Sequence, residues 1–320
     1  MRFLPQVSYY INRERTDIFR SKHNEKVKLI MNAWWMHEVD HFPPSDCIDP
    51  LFVSFHLRYD RRDRTFLSPK VKKYLNEHGP VGCRDTGTME FLSFQGINAF
   101  FSGCLTTTLL PNQTIKGRFM TDYILCVDVP EEVVEKVKTR TTKQVFDISR
   151  MLTPAMTFEN RMKAAKFFLF LYHNAFCVIT PRLHVALPAV SFGTPVCMLK
   201  GGNLIRKKRF DGLEDLFNEV DIDQFQGSED VYDINHLPKN PVKILNMRDE
   251  LVRICSAFTH YDSQKSVFED DYNPLIEMAD ALKYDSRVIS KTVLFEKTSN
   301  LGKTLIRRIF HGTNRFDSEV

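Results

Sequence analysis

The 320-residue chain has no Cys-x-x-Cys pair, no Gly-x-Gly-x-x-Gly fingerprint and no dense Asp/Glu/His cluster. Each absence removes a class of function. Seven scattered cysteines, an odd number, read as reduced and mostly buried thiols of a cytosol-like compartment, with no zinc site expected. The missing glycine fingerprint argues against a dinucleotide-dependent dehydrogenase. Without a carboxylate–histidine cluster no metal is expected, and no other cofactor is called for. Met1-Arg2-Phe3-Leu4-Pro5 lacks an apolar h-region, so no secretory signal is expected. The longest apolar run near a helix, Phe167 to Tyr172, is far short of the about 20 residues that span a bilayer. A net charge of only +4 implies no broad nucleic-acid surface. No internal repeat is visible.

What is present is an ordinary globular composition, 43% apolar and 26% charged, with 26 phenylalanines that predict aromatic-rich cores. The chain is organised around Phe176 to Lys200. Phe176 to Ile179 reads as a buried strand and Val196 to Leu199 as another; a polar turn, a small-residue helix and a Gly-Thr-Pro break lie between them. Arg182 and His184 fall where the first strand ends and the helix begins. In an open α/β sheet that edge binds ligands, because the helix N-terminus presents free N–H groups and a positive dipole end. The pair suits an anionic substrate; the plainer alternative is a salt bridge and a polar cap.

A second junction of the same kind runs from Val81 through Gly82-Cys83-Arg84-Asp85 into a helix from Thr86 to Gln95, stopped at Gly96. It leads to a short strand at Ile97 to Phe101 and a hydroxyl-rich turn, Ser102 to Thr108. Those hydroxyls either hold a phosphate or cap local backbone. Upstream, Val27 to Met31 and Leu51 to Phe55 read as strands, ending near Trp34-Trp35 and at His56. The tryptophans either stack on a sugar face or fill core. Tyr59 to Arg64 is a charged loop, either self-paired or an anion-recruiting rim. Downstream, Tyr123 to Val129 opens a new strand–helix series. Phe158 to Asn174 is a long helix, apolar almost all round in its second half, and so expected to pack deeply. Gly212 to Val220 reads as a short helix, and Lys243 to Phe258 as a longer one.

Two blocks carry a family resemblance. Gly82-Cys83-Arg84-Asp85, the Gly96-Ile97 strand and Phe101-Ser102-Gly103-Cys104-Leu105-Thr106 form the first. Ile179-Thr180-Pro181-Arg182-Leu183-His184 with Gly193-Thr194-Pro195 forms the second. Together they resemble the polysaccharide pyruvyl transferases. The resemblance implies transfer of a pyruvyl group from phosphoenolpyruvate to a sugar of a cell-surface polysaccharide or its precursor, with ketal formation and release of phosphate. For that chemistry His184 is the candidate acid and Arg182 and Arg84 the candidate donor ligands, with Ser102 bonding the phosphate; the resemblance adds a cation after the Gly-Thr-Pro break, for which Lys200, Arg206 and Lys207 are the alternatives. Asp85 would orient Arg84, and Trp34, Trp35 and His56 would face the acceptor. The acceptor is a sugar or a lipid-linked oligosaccharide, and the location cytoplasmic, at the inner membrane face if a basic amphipathic tail helix at 300–310 docks there. The family's usual Gly-Asp-containing first strand and helix are not seen; where that loop helps bind substrate, a version without it is expected to be impaired.

The fold expected is α/β, with two Rossmann-like domains facing a cleft in a glycosyltransferase-B-like arrangement. The first domain covers 1–120 and the second 121–260, with a helical tail at 261–320 packing back on the first half. The sequence assigns no oligomeric state. Two rivals share this architecture, a nucleotide-sugar glycosyltransferase and a non-catalytic sugar-binding protein.

Overall fold

The computed structural model describes residues 8–34, 38–57, 67–110, 122–148, 158–201, 210–227 and 232–260. Trp35, Arg206, Lys207, the charged loop at 59–64 and the tail from 261 onward, with its expected helix, lie outside these residues.

Two parallel sheets form the chain's two halves. The first contains β1 (Val27–Trp34), β2 (Ile48–His56), β3 (Val81–Cys83) and β4 (Ala99–Phe101), in the order β1-β2-β3-β4. Helix α1 (Pro69–Glu77) connects β2 to β3, and α2 (Thr86–Phe94) connects β3 to β4. Local chemistry sets both helix starts. The Ser68 hydroxyl accepts from the Val71 amide, and the Asp85 carboxylate accepts from the Thr88 amide. Just past α2, Gly96 takes a φ of +79°, a backbone conformation that favours glycine.

The second sheet has β5 (Tyr123–Val127), β6 (Gln144–Ile148), β7 (Cys177–Thr180), β8 (Val196–Lys200) and β9 (Asn218–Asp221), in the order β6-β5-β7-β8-β9. Its helices are α3 (Glu131–Arg140), α4 (Phe158–Asn174), α5 (Leu183–Ser191) and the short α6 (Ile222–Gly227). Strand order reverses between β5 and β7, so the carboxyl ends of those two strands flank a topological switch point. The expected α/β class with two parallel halves is what the chain adopts.

Strand β5 shows why the second half is stable. All five of its residues are 0% exposed, because helices cover both faces of the sheet. Tyr123, Leu125 and Val127 face a core with Phe167 and Leu171 of α4. The alternating Ile124 and Cys126 face a second core with Val133 and Val137 of α3. Each large side chain buried this fully contributes about 1.5–3 kcal/mol. Cys126, Cys177 and Cys197 share the second core, and burial raises all three thiols, Cys177 to about 12. All seven cysteines are buried, and none is in a disulfide.

Two expectations need correction. Gly212 to Val220 is not a helix. It is a 3-10 turn at Glu214–Leu216 followed by β9, which pairs in parallel with β8 through Val220 opposite Leu199. Second, the helix at Lys243–Thr259, α7, was expected within the second domain alone but packs on both halves: Ile244 joins the second core, and the later turns lie on the first half. Its Leu251 and Cys255, both 0% exposed, cluster with Val53 of β2, and Lys28 of β1 donates to the Phe258 carbonyl at 2.6 Å.

Candidate active site

The carboxyl ends of β2, β3 and β4 build the first half of the site. Ser102, after β4, bridges them. Its hydroxyl accepts from the Ser54 amide at 2.9 Å and donates to the Cys83 carbonyl at 3.1 Å. Arg84 leaves β3 with its amide bonded to the Phe55 carbonyl at 2.8 Å. Next in sequence, Asp85 reaches His56 Nδ1 at 2.5 Å with one carboxylate oxygen and the Thr88 amide at 2.8 Å with the other. His56 and Asp85 are 1% and 0% exposed. The pair is therefore a sealed brace that joins the end of β2 to the start of α2.

The second half contributes α4 and the first two turns of α5. Between the halves lies a cavity of about 440 Å³. Asn32, Ser54, Arg84, Cys104 and Thr106 border it from the first half, and His184 enters from α5. Cys104 Sγ lies 3.9 Å from His184 Nε2, so the two halves meet inside the site. Arg84 is only 2% exposed and borders the cavity. A cation held in so dry a place interacts strongly with an anion. Among the described residues that line the cavity, Arg84 and His184 are those able to carry positive charge.

Several expected ligands fall elsewhere. Arg182 does not line the cavity; its Nε pairs with the Asp128 carboxylate at 3.2 Å, at the switch point between β5 and β7. The salt-bridge alternative thus describes Arg182 in this structure. Lys200 pairs with Glu219 on the neighbouring strand β9, also away from the cavity. Burial raises the Glu219 carboxyl and the Lys200 ammonium opposes that rise. Ser102 spends its hydroxyl on backbone groups, which leaves the phosphate role to other donors. His56 cannot face an acceptor because it is sealed beneath Asp85. Asp85 holds His56 and the first turn of α2. Trp34 ends β1 in register with His56, and Trp35 and Arg206 lie outside the described residues.

Other cavity residues were not singled out from sequence as ligands. Cys104 sits in the motif that carries the resemblance, and that was the available signal. Ala165, Phe168, Leu169 and Tyr172 of α4 also line the cavity, with Leu109 and Pro188. Among the described residues no cluster of His, Cys, Asp and Glu is arranged to hold a metal, and no helix is long and apolar enough to cross a membrane.

With this geometry the family comparison becomes informative. Residues 54–203 match the family model described as polysaccharide pyruvyl transferase, the family expected from the two motif blocks. The matched segment contains every cavity-lining residue named above except Asn32. No curated protein matches. Among solved structures, a UDP-N-acetylglucosamine 2-epimerase from Rickettsia bellii is 12% identical, covers 69% of this chain and 70% of its own, and superposes with a TM-score of 0.34. A further UDP-N-acetylglucosamine 2-epimerase is 13% identical, with coverage of 70% and 69% and a TM-score of 0.35. At these scores neither bears on function.

Proposed function

We propose that the chain transfers the pyruvyl carbons of phosphoenolpyruvate to a sugar in the cavity between its halves. The observation that supports this reading is that Arg84 of one half and His184 of the other border a single cavity inside the family-matched segment. Arg84 holds the donor's carboxylate or phosphate, a contact its fork suits. His184, as imidazolium, gives its proton to the methylene carbon of the donor, which leaves an electrophilic carbon bearing the phosphate ester. An acceptor hydroxyl adds to that carbon and its proton restores the imidazolium. A second hydroxyl then displaces inorganic phosphate and closes a cyclic ketal. The protein's contribution is alignment, since both hydroxyls must reach one carbon in turn. Arg182 supports the switch-point edge through Asp128 and reaches the donor only if that pair opens.

Calorimetric titration with phosphoenolpyruvate, followed by a phosphate-release assay with candidate acceptors, tests the reading. His184→Ala keeps donor binding and loses turnover. Arg84→Met weakens donor binding at least tenfold, since a charge-assisted contact is worth roughly 1.5–3 kcal/mol. Arg182→Met has the smaller effect. Binding of a nucleotide diphosphate sugar with none of phosphoenolpyruvate moves the chain to the glycosyltransferase class instead.

A further inference from the structure

Helix α4 is apolar almost all round in its second half. Ala164, Phe167 and Leu171 are 0% exposed and belong to the core of the second sheet, as do the buried Phe168 and Tyr172. Ala165, Phe168, Leu169 and Tyr172 follow the spacing i, i+3, i+4, i+7, which places them on one stripe of the helix, and this stripe borders the cavity. Leu109 and Pro188 extend it. Phe168 and Tyr172 stack with ring centroids 6.3 Å apart and planes 15° from parallel, which holds both rings in place. Ala165 is exposed and Leu169 half-buried, so part of the stripe is accessible from the cavity. The same cavity is also lined by Arg84, His184, Asn32 and Thr106, together with Ser54, which is 1% exposed and whose hydroxyl has no hydrogen-bond partner among the described residues.

The lining of this cavity is chemically mixed. Phosphoenolpyruvate is small and anionic, and it is matched by Arg84 and His184, not by the α4 stripe. Free sugar hydroxyls gain nothing from Leu109, Ala165, Phe168, Leu169 and Pro188, because burying an unpaired hydroxyl is unfavourable. Hydrocarbon placed there leaves water, which is favourable in proportion to the area covered.

Resting on the pyruvyl transfer reading, we propose that the α4 stripe is an acceptor subsite for the hydrocarbon aglycone of a saccharide. The sugar hydroxyls lie toward His184 and the aglycone lies along Ala165, Phe168, Leu169 and Tyr172. Of the acceptor forms left open by the sequence, this favours a glycoside with an apolar group next to the modified sugar over a free sugar.

The test compares binding of n-octyl, phenyl and methyl β-D-glucopyranoside, the first kept below micelle formation, in the presence of phosphoenolpyruvate. Ala165→Gln and Leu169→Gln serve as variants, and thermal melts confirm that each folds; Ala165 is an exposed helix position where Gln is well tolerated. Expected are at least tenfold tighter binding of the octyl than of the methyl glycoside, loss of that gap in both variants, and unchanged binding of phosphoenolpyruvate. A preference shared by the phenyl glycoside assigns the stripe to any apolar aglycone; one confined to the octyl form assigns it to alkyl chains. Equal binding of methyl and octyl forms, or an octyl preference that survives both substitutions, overturns the subsite. If phosphoenolpyruvate binds without an alkyl preference, the subsite fails and the transfer reading stands. If the alkyl preference appears without binding of phosphoenolpyruvate, the transfer reading fails and the stripe remains a hydrocarbon site.

Discussion

Arg248 of α7 should hold the cleft together, and replacing it with methionine measures by how much. Its Nε donates to the Thr107 carbonyl at 2.9 Å and its Nη2 to the Ser191 carbonyl at 2.6 Å. Thr107 belongs to the turn that carries the cavity residue Thr106, in the first half. Ser191 is the last residue of α5, the helix whose first turn carries His184. One guanidinium therefore ties the two walls of the site. Hydrogen bonds from a charged donor contribute about 1.5–3 kcal/mol each before losses. The losses matter here: burial lowers the Arg248 pKa, with Asp249 opposing, so the cation has given up some hydration to make these bonds. Methionine retains much of the apolar stem, and leaves the carbonyls of residues that are 0% and 3% exposed without this donor. Since the two bonds share one group they are not additive, and a net loss of about 2–4 kcal/mol is expected. Urea unfolding followed by tryptophan fluorescence and by circular dichroism measures it. Arg248→Lys, which keeps charge but loses the fork, should recover about half. A change below about 0.5 kcal/mol in Arg248→Met, with unchanged slope, would refute the clamp.

Two further predictions concern the same wall. Asp85→Ala removes the α2 cap, worth about 1 kcal/mol, and breaks the buried 2.5 Å bond to His56 Nδ1, worth about 1–3 kcal/mol; thermal melts should show a loss of about 2–4 kcal/mol, and a wild-type melt would show the brace to be dispensable. In a Cys47→Ser background, iodoacetamide should modify Cys104 ahead of the other cysteines, as mapped by peptide mass, and phosphoenolpyruvate should protect it. Cys104 borders the cavity, whereas Cys126, Cys177 and Cys197 lie in core with raised thiol pKa values. The background is needed because hydrogen bonding with Ser21 lowers the Cys47 thiol, so this residue, 9% exposed, competes from a lower pH than an ordinary thiol. Labelling of Cys126 or Cys177 before Cys104 would contradict the cavity assignment.

The features legible in the sequence were those whose causes are local. Gly96 acts within a few residues of itself, and helix α2 stops just before it, as such a cap requires. The continuous apolar run of β5 needs only cover on both faces. Gly212 to Val220 misled because Leu213, Leu216 and Phe217 repeat at helical spacing, and all three are buried. The available edge of β8 decided the outcome, and strand pairing with a distant partner overrides local pattern. Helix α7 was legible as a helix, but its position was not, since Val53 lies almost 200 positions from Leu251 and Cys255. The all-round apolarity of α4 reads as depth of burial, and Phe167, Phe168, Phe170, Leu171 and Tyr172 are buried; what the pattern does not reveal is that Phe168 and Tyr172 also border a cavity.

The two arginines show why the site itself was only partly legible. Both follow a buried strand and both precede a helix, yet one borders the cavity and the other the opposite charge of Asp128. The difference is a matter of offset. In the first half Asp85 is the N-cap, its carboxylate turned onto the Thr88 amide, so Arg84 lies one residue before the helix and shares the strand end with the cavity floor. In the second half Arg182 is itself the N-cap, makes no side-chain cap bond, and extends to Asp128, which follows β5 with a φ of +53°. His184, two residues further on, then occupies the first turn of α5 and meets Cys104. A one-residue shift of the cap relative to the arginine thus accompanies a change in which side chain borders the cavity. Moving the cap therefore changes the site more than exchanging one cation for another, and Arg182→His should leave the cavity unaltered where Asp85→Ala disturbs it.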